Sequence, residues 1–251
     1  MSSDLQTSLK YSESRFAELK QSLNSVRDEI AQEVNQVGRS VDSVNLVAVS
    51  KYMPPSDIQA LYDLGQRDFG ENYVQELTHK AEILPKDIKW HFIGSLQTNK
   101  CKVLSGRIPN LYAVETVDSQ AKAQKLNDTR GEFDTLNVYL QVNTSGEDQK
   151  SGLSDEAEII SIAKFIVDQC PKLNLLGLMT IGSFSASVSE GENQDFKKLI
   201  EVEAHVSEQI NKKLGLSMGM SADYIEAIRQ GSTNVRVGRT IFGSRPLKQD
   251  L

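Results

Sequence analysis

Short apolar runs recur eight times in this chain, at residues 44–50, 67–70, 90–94, 111–115, 136–142, 174–181, 214–219 and 234–237. Stretches of helical periodicity separate them. This alternation predicts an α/β chain of parallel strands joined by right-handed crossovers, a (β/α)8 TIM barrel. Two further observations favour the closed barrel over an open doubly wound sheet. A length of 251 residues suits eight strand–helix units. No G-x-G-x-x-G follows the first strand and no Walker A sequence occurs, whereas open nucleotide-binding sheets commonly carry one of them.

The first element precedes the barrel. Leu5, Leu9, Phe16, Leu19, Leu23, Val26, Ile30, Val34 and Val37 recur at spacings of three, four or seven, which predicts a long amphipathic helix over about 5–37. Gly38 supplies a stop. Such a stripe docks on a core or pairs in a coiled coil, and docking is the reading adopted. Helical stretches then follow at 56–64, 72–84, 98–105, 118–129, 154–169, 192–213, 222–230 and near 241. Two longer loops stand out, 143–152 after the fifth strand and the Ser-rich 183–191 after the sixth. Both belong to the C-terminal rim, either as lids or as plain solvated loops. No solenoid repeat or interdomain linker is visible, so residues 1–251 read as one domain with the barrel over about 44–246.

Composition excludes several classes of function. The net charge of −6 argues against nucleic acid as a partner, because phosphate backbones attract basic surfaces. No apolar run approaches the roughly 20 residues that span a bilayer. The N-terminus is polar, lacks a signal-peptide core, and carries Asp4, Glu13 and Glu18, which a mitochondrial presequence avoids; a cytoplasmic protein is expected. Cys101 and Cys170 form no C-x-x-C pair and read as reduced thiols. His79, His91 and His205 lie far apart, so no metal site is expected. His91, within Trp90-His-Phe-Ile-Gly94, reads as a packed, hydrogen-bonded core histidine rather than a ligand or base.

The barrel topology gathers strand ends onto one rim, where chemistry is placed. Lys51 closes the first strand, one lysine among eighteen. Partial burial favours its neutral, nucleophilic amine, which can form a Schiff base with an aldehyde. The alternative is a lysine whose stem covers the strand end while its charge reaches water. Met179 ends the sixth strand. Ser221 precedes a helical run and either caps it or helps cradle an anion. Gly238 allows close backbone approach to a ligand or simply makes a tight turn. Arg236 lies between Val235 and Val237 and needs a buried partner, either a carboxylate or a pyridine nitrogen that it would keep unprotonated. Asn72, just past strand two, caps the next helix or meets a ring hydroxyl.

Six motifs carry a resemblance to a known family: LVAVSK (46–51), FGENYVQE (69–76), WHFIGSLQTNK (90–100), GLMTIG (177–182), SMGMSADYIEAI (217–228) and VRVG with IFGSR (235–245). In order, over about residues 44–246, they resemble the pyridoxal phosphate homeostasis family of YggS-like or PROSC-like proteins, fungal members most closely. The resemblance implies a barrel like the N-terminal domain of alanine racemase, and pyridoxal 5′-phosphate held as a Schiff base on Lys51. It implies phosphate contacts from Ser221 and from the backbone at Gly238 and Arg239, Arg236 facing the pyridine nitrogen, and Asn72 lining the pocket. Where the family has Thr after V-R-x-G, this chain has Arg239 followed by Thr240.

Three functions remain open on these residues. The first is a cofactor-handling protein, monomeric, that buffers the aldehyde and delivers it to apoenzymes. The second is a one-base amino-acid racemase. A two-base racemase of related fold uses a tyrosine from a second, β-rich domain, and with so few residues after the eighth unit no such domain is expected here. Tyr52 is expected to point away from the mouth by strand alternation, which leaves Tyr73 as the nearest tyrosine. The third is an aldolase acting through Lys51, which requires a general acid or base nearby. Glu71 and Glu115 are the nearest carboxylates.

Overall fold

All eight strands form: β1 (Asn45–Val49), β2 (Asp68–Glu71), β3 (Lys89–Phe92), β4 (Leu111–Val117), β5 (Leu136–Gln141), β6 (Leu173–Met179), β7 (Gly215–Met220) and β8 (Asn234–Val237). In the computed structural model, which describes residues 9–147, 151–183 and 191–244, they pair in chain order and β8 returns to β1, closing a barrel. Every pairing is parallel. The strands are short and largely buried because helices cover one face and the lumen takes the other. Close approach is built in at Gly177, where a Cβ would stand 2.2 Å from the Gly215 carbonyl oxygen.

The helices that follow the strands are α2 (Pro55–Asp63), α3 (Val74–Ile83), α4 (Cys101–Arg107), α5 (Gln120–Thr129), α6 (Glu156–Gln169), α7 (Gln194–Ile210), α8 (Tyr224–Arg229) and α9 (Arg239–Phe242). Their ends follow local chemistry. Ser119 and Asp155 cap α5 and α6 through side-chain oxygens, and Asn193 accepts from two backbone N–H groups at the start of α7. Helix α2 opens on Pro55, whose missing N–H is not needed there. Helix α7 ends at Asn211, in the left-handed region at φ 49°.

The first helix, α1, spans Glu13–Gln36 and not 5–37. Its start is set by Ser12, whose Oγ accepts from Arg15 N–H at 3.1 Å. Leu9 lies before this cap yet still packs on the core, and Leu5 falls outside the described residues. Gly38 stops the helix as expected. At φ 70° it lets Arg39 N–H reach the Val34 carbonyl and its own N–H reach Asn35, a Schellman ending.

The stripe of α1 docks on the barrel. Leu19, Leu23, Val26, Ile30 and Val34 are buried, and the helix packs on α2, α8 and α9. It therefore covers the seam where β8 meets β1. Polar ties reinforce the contact. Arg15 reaches both Asp57 of α2, at 2.7 Å, and the Phe242 carbonyl of α9, at 2.8 Å. Arg229 of α8 forks onto Glu33 at 2.9 and 3.0 Å. Apolar burial carries most of this docking, because Arg229 is half exposed and solvent weakens such pairs.

The loops 143–152 and 183–191 fall partly outside the described residues. Leu153 bridges back to the end of β5, accepting from Asn143 N–H at 2.9 Å and donating to the Gln141 carbonyl at 2.8 Å.

Leu23→Ala tests the docking of α1. The side chain is fully buried, and its loss is expected to lower unfolding free energy by about 3 kcal/mol. Urea denaturation with an unchanged slope would show this as a lower midpoint. A midpoint equal to the parent protein would mean that α1 is not part of the cooperative unit.

Candidate functional site

One cavity of about 360 Å³ opens among the C-terminal strand ends, and Lys51, Asn72, Met179, Ser221, Arg236, Gly238 and Arg239 all line it. Val49, Met53, Ile93, Ile181 and Phe242 supply apolar wall. The β1–β8 register explains how residues so distant in sequence meet. Val47 pairs with Arg236 and Ala48 with Val237, so the chain beyond Val49 runs beside Gly238. A Cβ on Gly238 would lie 3.2 Å from the Val49 carbonyl oxygen, tighter than usual packing. Asn72 is fixed from the other side, since a Cβ on Gly94 would fall 2.0 Å from the Asn72 carbonyl oxygen.

Ser221 and Asn72 do not cap helices. Helix α8 begins at Tyr224, because Asp223 Oδ1 accepts the Met220 N–H at 2.7 Å and closes a turn ahead of it. Ser221 Oγ instead accepts from Gly238 N–H at 3.2 Å, which couples the ends of β7 and β8. Helix α3 begins at Val74 with Tyr73 before it. The Asn72 Oδ1 atom is buried and has no hydrogen-bond partner. Arg239 is exposed at the mouth.

Arg236 has partners of its own. It is buried, with Nη1 donating to Ser217 Oγ at 2.5 Å and Nη2 to the Thr180 carbonyl at 2.7 Å. The Glu115 carboxylate stands 3.9 Å away. Glu115 belongs to β4, which is not a neighbour of β7 or β8, so these side chains meet across the lumen. Asn234 Nδ2 donates to Glu115 at 3.2 Å, and Ser217 Oγ donates to it at 2.5 Å. His91 lies beyond, with Nδ1 at 2.8 Å from Glu115 and Nε2 at 2.9 Å from Asp68. A chain of alternating charge thus runs from Asp68 to Arg236. His91 is the hydrogen-bonded core histidine expected from the sequence.

Burial works against the charged imidazole of His91, but hydrogen bonds to Asp68 and Glu115 outweigh it and raise its pKa to about 9. Burial likewise opposes the Glu115 carboxylate, yet His91 and Arg236 hold its pKa below the usual range. Burial pulls Arg236 down while Glu115 opposes the change.

The remaining candidates are engaged elsewhere. Glu71 Oε1 accepts from Ser50 Oγ at 2.6 Å and from Lys80 Nζ at 2.7 Å. Burial raises the Glu71 pKa to about 7, against the pull of Lys80. Tyr52 lies past the end of β1 in a turn, at φ 65°, so strand alternation does not set its direction. Its hydroxyl is hydrogen-bonded to that of Tyr73, which is exposed. Sequence reasoning did not single out Lys80, Ser217 or the Thr180 carbonyl. The Glu76–Lys80 spacing has the form of an exposed helical pair, and Ser217 is one of several small residues near the end of β7. Among the described residues no cluster suits a metal ion, and no helix is long and apolar enough to cross a membrane.

A parallel barrel whose rim joins an amine, a guanidinium and a serine-backed glycine turn matches the alanine racemase N-terminal domain family over residues 26–246. More narrowly, the chain belongs to the pyridoxal phosphate homeostasis protein family. It is 46% identical over 228 residues to the pyridoxal phosphate homeostasis protein of Schizosaccharomyces pombe, spanning 90% of this chain and 93% of that one. Among solved structures, an unknown protein from Bifidobacterium adolescentis superposes with a TM-score of 0.80 at 34% identity, covering 93% and 98% of the two chains. PipY of Synechococcus elongatus, with PLP bound, gives a TM-score of 0.69 at 33% identity, covering 85% of this chain and all of that one, 100%.

The lumen charges give the fold a definite pH dependence. The pKa of His91 is raised on folding, so its stabilisation is complete below about 6.5 and is lost as pH rises through about 9. The urea midpoint of the parent protein is expected to fall over that window. His91→Gln should start lower at neutral pH and lack that part of the fall. A parent midpoint that stays flat across the window would show that His91 is neutral in the folded protein.

Proposed function

We propose that this chain is a single-domain pyridoxal 5′-phosphate-binding barrel that holds the cofactor as a Schiff base on Lys51. In this reading it serves intracellular pyridoxal phosphate homeostasis and delivery to apoenzymes, and does not turn over a substrate. The observation that carries the proposal is the meeting of Lys51, Ser221, Gly238 and Arg236 on one cavity of about 360 Å³, a size suited to a small cofactor. The relatives named above and the PLP-bound PipY structure support it.

The residues present fit the group. The buried Asn72 Oδ1 has no partner, so the Asn72 amide, which can both donate and accept, is left to hydrogen-bond a bound group such as the ring oxygen. When bound, the cofactor supplies an aldehyde conjugated to a pyridine ring. Lys51 offers the amine that captures this aldehyde. Ser221 Oγ and the backbone around Gly238 and Arg239 would hold the phosphate, and the exposed Arg239 side chain would add positive charge there. Buried Met179 forms part of the apolar floor. Arg236 is anchored by Ser217 and Thr180. A guanidinium donates and does not readily take up a proton, so it would leave a pyridine nitrogen placed against it unprotonated and the ring a weak electron sink.

The racemase reading is less favoured. Among the described residues lining the cavity, the ionisable side chains besides Lys51 are Arg236 and Arg239, and a guanidinium does not serve as a general base. The aldolase reading meets the same difficulty, since Glu71 and Glu115 are committed to Lys80 and to the lumen chain. A cytosolic monomer completes the proposal. It is supported by two buried free thiols and by exposed large apolar side chains that are few among the described residues.

Two experiments test this reading. Added pyridoxal phosphate is expected to give an absorbance band near about 420 nm from the conjugated imine. Borohydride should fix the adduct to the peptide bearing Lys51, and Lys51→Ala should abolish the band. A protein that stays colourless defeats the proposal, and steady production of D-amino acids from L-amino acids through Lys51 would defeat its non-enzymatic part. Ser221→Ala is expected to weaken cofactor binding about tenfold, the loss of one hydrogen bond to a charged group, measured by equilibrium titration. An unchanged affinity would remove Ser221 from the phosphate site.

A further inference from the structure

Behind the cavity, a cluster of buried charge sits against the two residues that flank Lys51. Lys80 of α3 is 3% exposed. Its Nζ donates to Glu71 at 2.7 Å, to Glu76 at 2.6 Å and to the Ser50 carbonyl at 2.8 Å, which engages all the protons of the ammonium. The same carboxylate oxygens reach the chain on either side of Lys51. Glu71 Oε1 accepts from Ser50 Oγ at 2.6 Å, and Glu76 Oε1 accepts from Tyr52 N–H at 2.7 Å. Ser50 N–H is tied to the Gly70 carbonyl at 2.9 Å, and Met53 N–H to the Ser50 carbonyl at 3.0 Å. Tyr52 holds φ 65°, a region a non-glycine residue keeps only when its surroundings enforce it.

We propose that Lys80 is a positioning residue for Lys51. Its ammonium locks Glu71 and Glu76 against the Ser50–Tyr52 turn and enforces the left-handed backbone of Tyr52, so that Lys51 faces the cavity before any ligand arrives. A buried ion cluster is a poor way to gain stability compared with apolar packing. Here every partner of the ammonium touches the residue before or after Lys51. Lys80 is not a rival for the aldehyde, because its protons are engaged and it does not line the cavity.

The role of the clamp in capture rests on the reading of Lys51 as the amine that takes up pyridoxal phosphate; the clamp itself is measurable without it. Three variants serve, Lys80→Met, Glu76→Ala and the double variant Lys80→Met with Tyr52→Gly. The first readout is hydrogen–deuterium exchange of the full chain without cofactor. In Lys80→Met the Tyr52 and Met53 amides are expected to exchange at least about tenfold faster, while those of β4 to β6 remain protected. The second is the rate constant for formation of the band near about 420 nm with added pyridoxal phosphate, expected to fall about tenfold or more as Lys51 loses its aim. Adding Tyr52→Gly should recover part of that rate, because glycine takes positive φ without enforcement. If Lys80→Met does not fold, Glu76→Ala removes only the acceptor for Tyr52 N–H and one partner of Lys80, and carries the same expectations. Folded variants with parental exchange at Tyr52 and Met53 overturn the clamp. Faster exchange with an unchanged rate of band formation overturns its role in positioning. A parent protein that forms no band overturns the reading of Lys51, while the exchange result still decides the clamp.

Discussion

Closure of the sheet between β8 and β1 is the interaction on which the rest depends. Asn45, Leu46, Val47 and Ala48 pair with Asn234, Val235, Arg236 and Val237. This register sets the Lys51 end of β1 beside Gly238 and Arg236, although nearly two hundred residues separate them in sequence. A slip by one residue would turn Arg236 out of the lumen and replace it with a valine. Helix α1 lies over this seam, and its contacts with α2, α8 and α9 hold the elements that flank β1 and β8. The site therefore inherits its geometry from the closure of the barrel, and the first helix protects that closure.

The lumen carries a second constraint. Barrels of this kind are usually filled by branched apolar side chains. Here Asp68, His91, Glu115 and Arg236 follow one another through hydrogen bonds and a 3.9 Å ion pair. Each charge would be costly if left alone. In sequence they satisfy one another, and Ser217 and Asn234 fill the remaining hydrogen-bonding positions around Glu115. The outcome is an arginine whose guanidinium has little freedom to turn. If that guanidinium meets a ring nitrogen, as proposed, its fixed orientation matters more than any net contribution to stability.

Much of this was legible in the sequence because barrel strands and helices differ in period. The eight apolar runs correspond to the eight strands, with ends shifted by a residue or two. Lys51, Arg236 and Gly238 could be placed on the rim because strand ends converge there in this topology. Local signals failed where tertiary contacts compete with them. Ser221 has the look of a helix cap, but Asp223 makes the turn before α8 and leaves Ser221 to meet Gly238. The long stripe of α1 suggested a start near residue 5, whereas Ser12 ends the helix at its N-terminal side. Lys80 was illegible for another reason. Its spacing to Glu76 is that of an exposed helical pair, and only the fold buries it against Ser50.

The docking of α1 also bears on how the chain acquires its structure during synthesis. Arg15 bonds the carbonyl of Phe242, 227 positions away, and the stripe of α1 packs on α8 and α9 near the far end of the barrel. A ribosome releases α1 well before α8 and α9. Until they emerge, Leu19, Leu23, Val26 and Ile30 have only part of their final cover. Contacts so remote in sequence slow folding and leave apolar surface open in the nascent chain. The same helix that seals the finished barrel is thus one whose own cover is completed only after the eighth strand has been made.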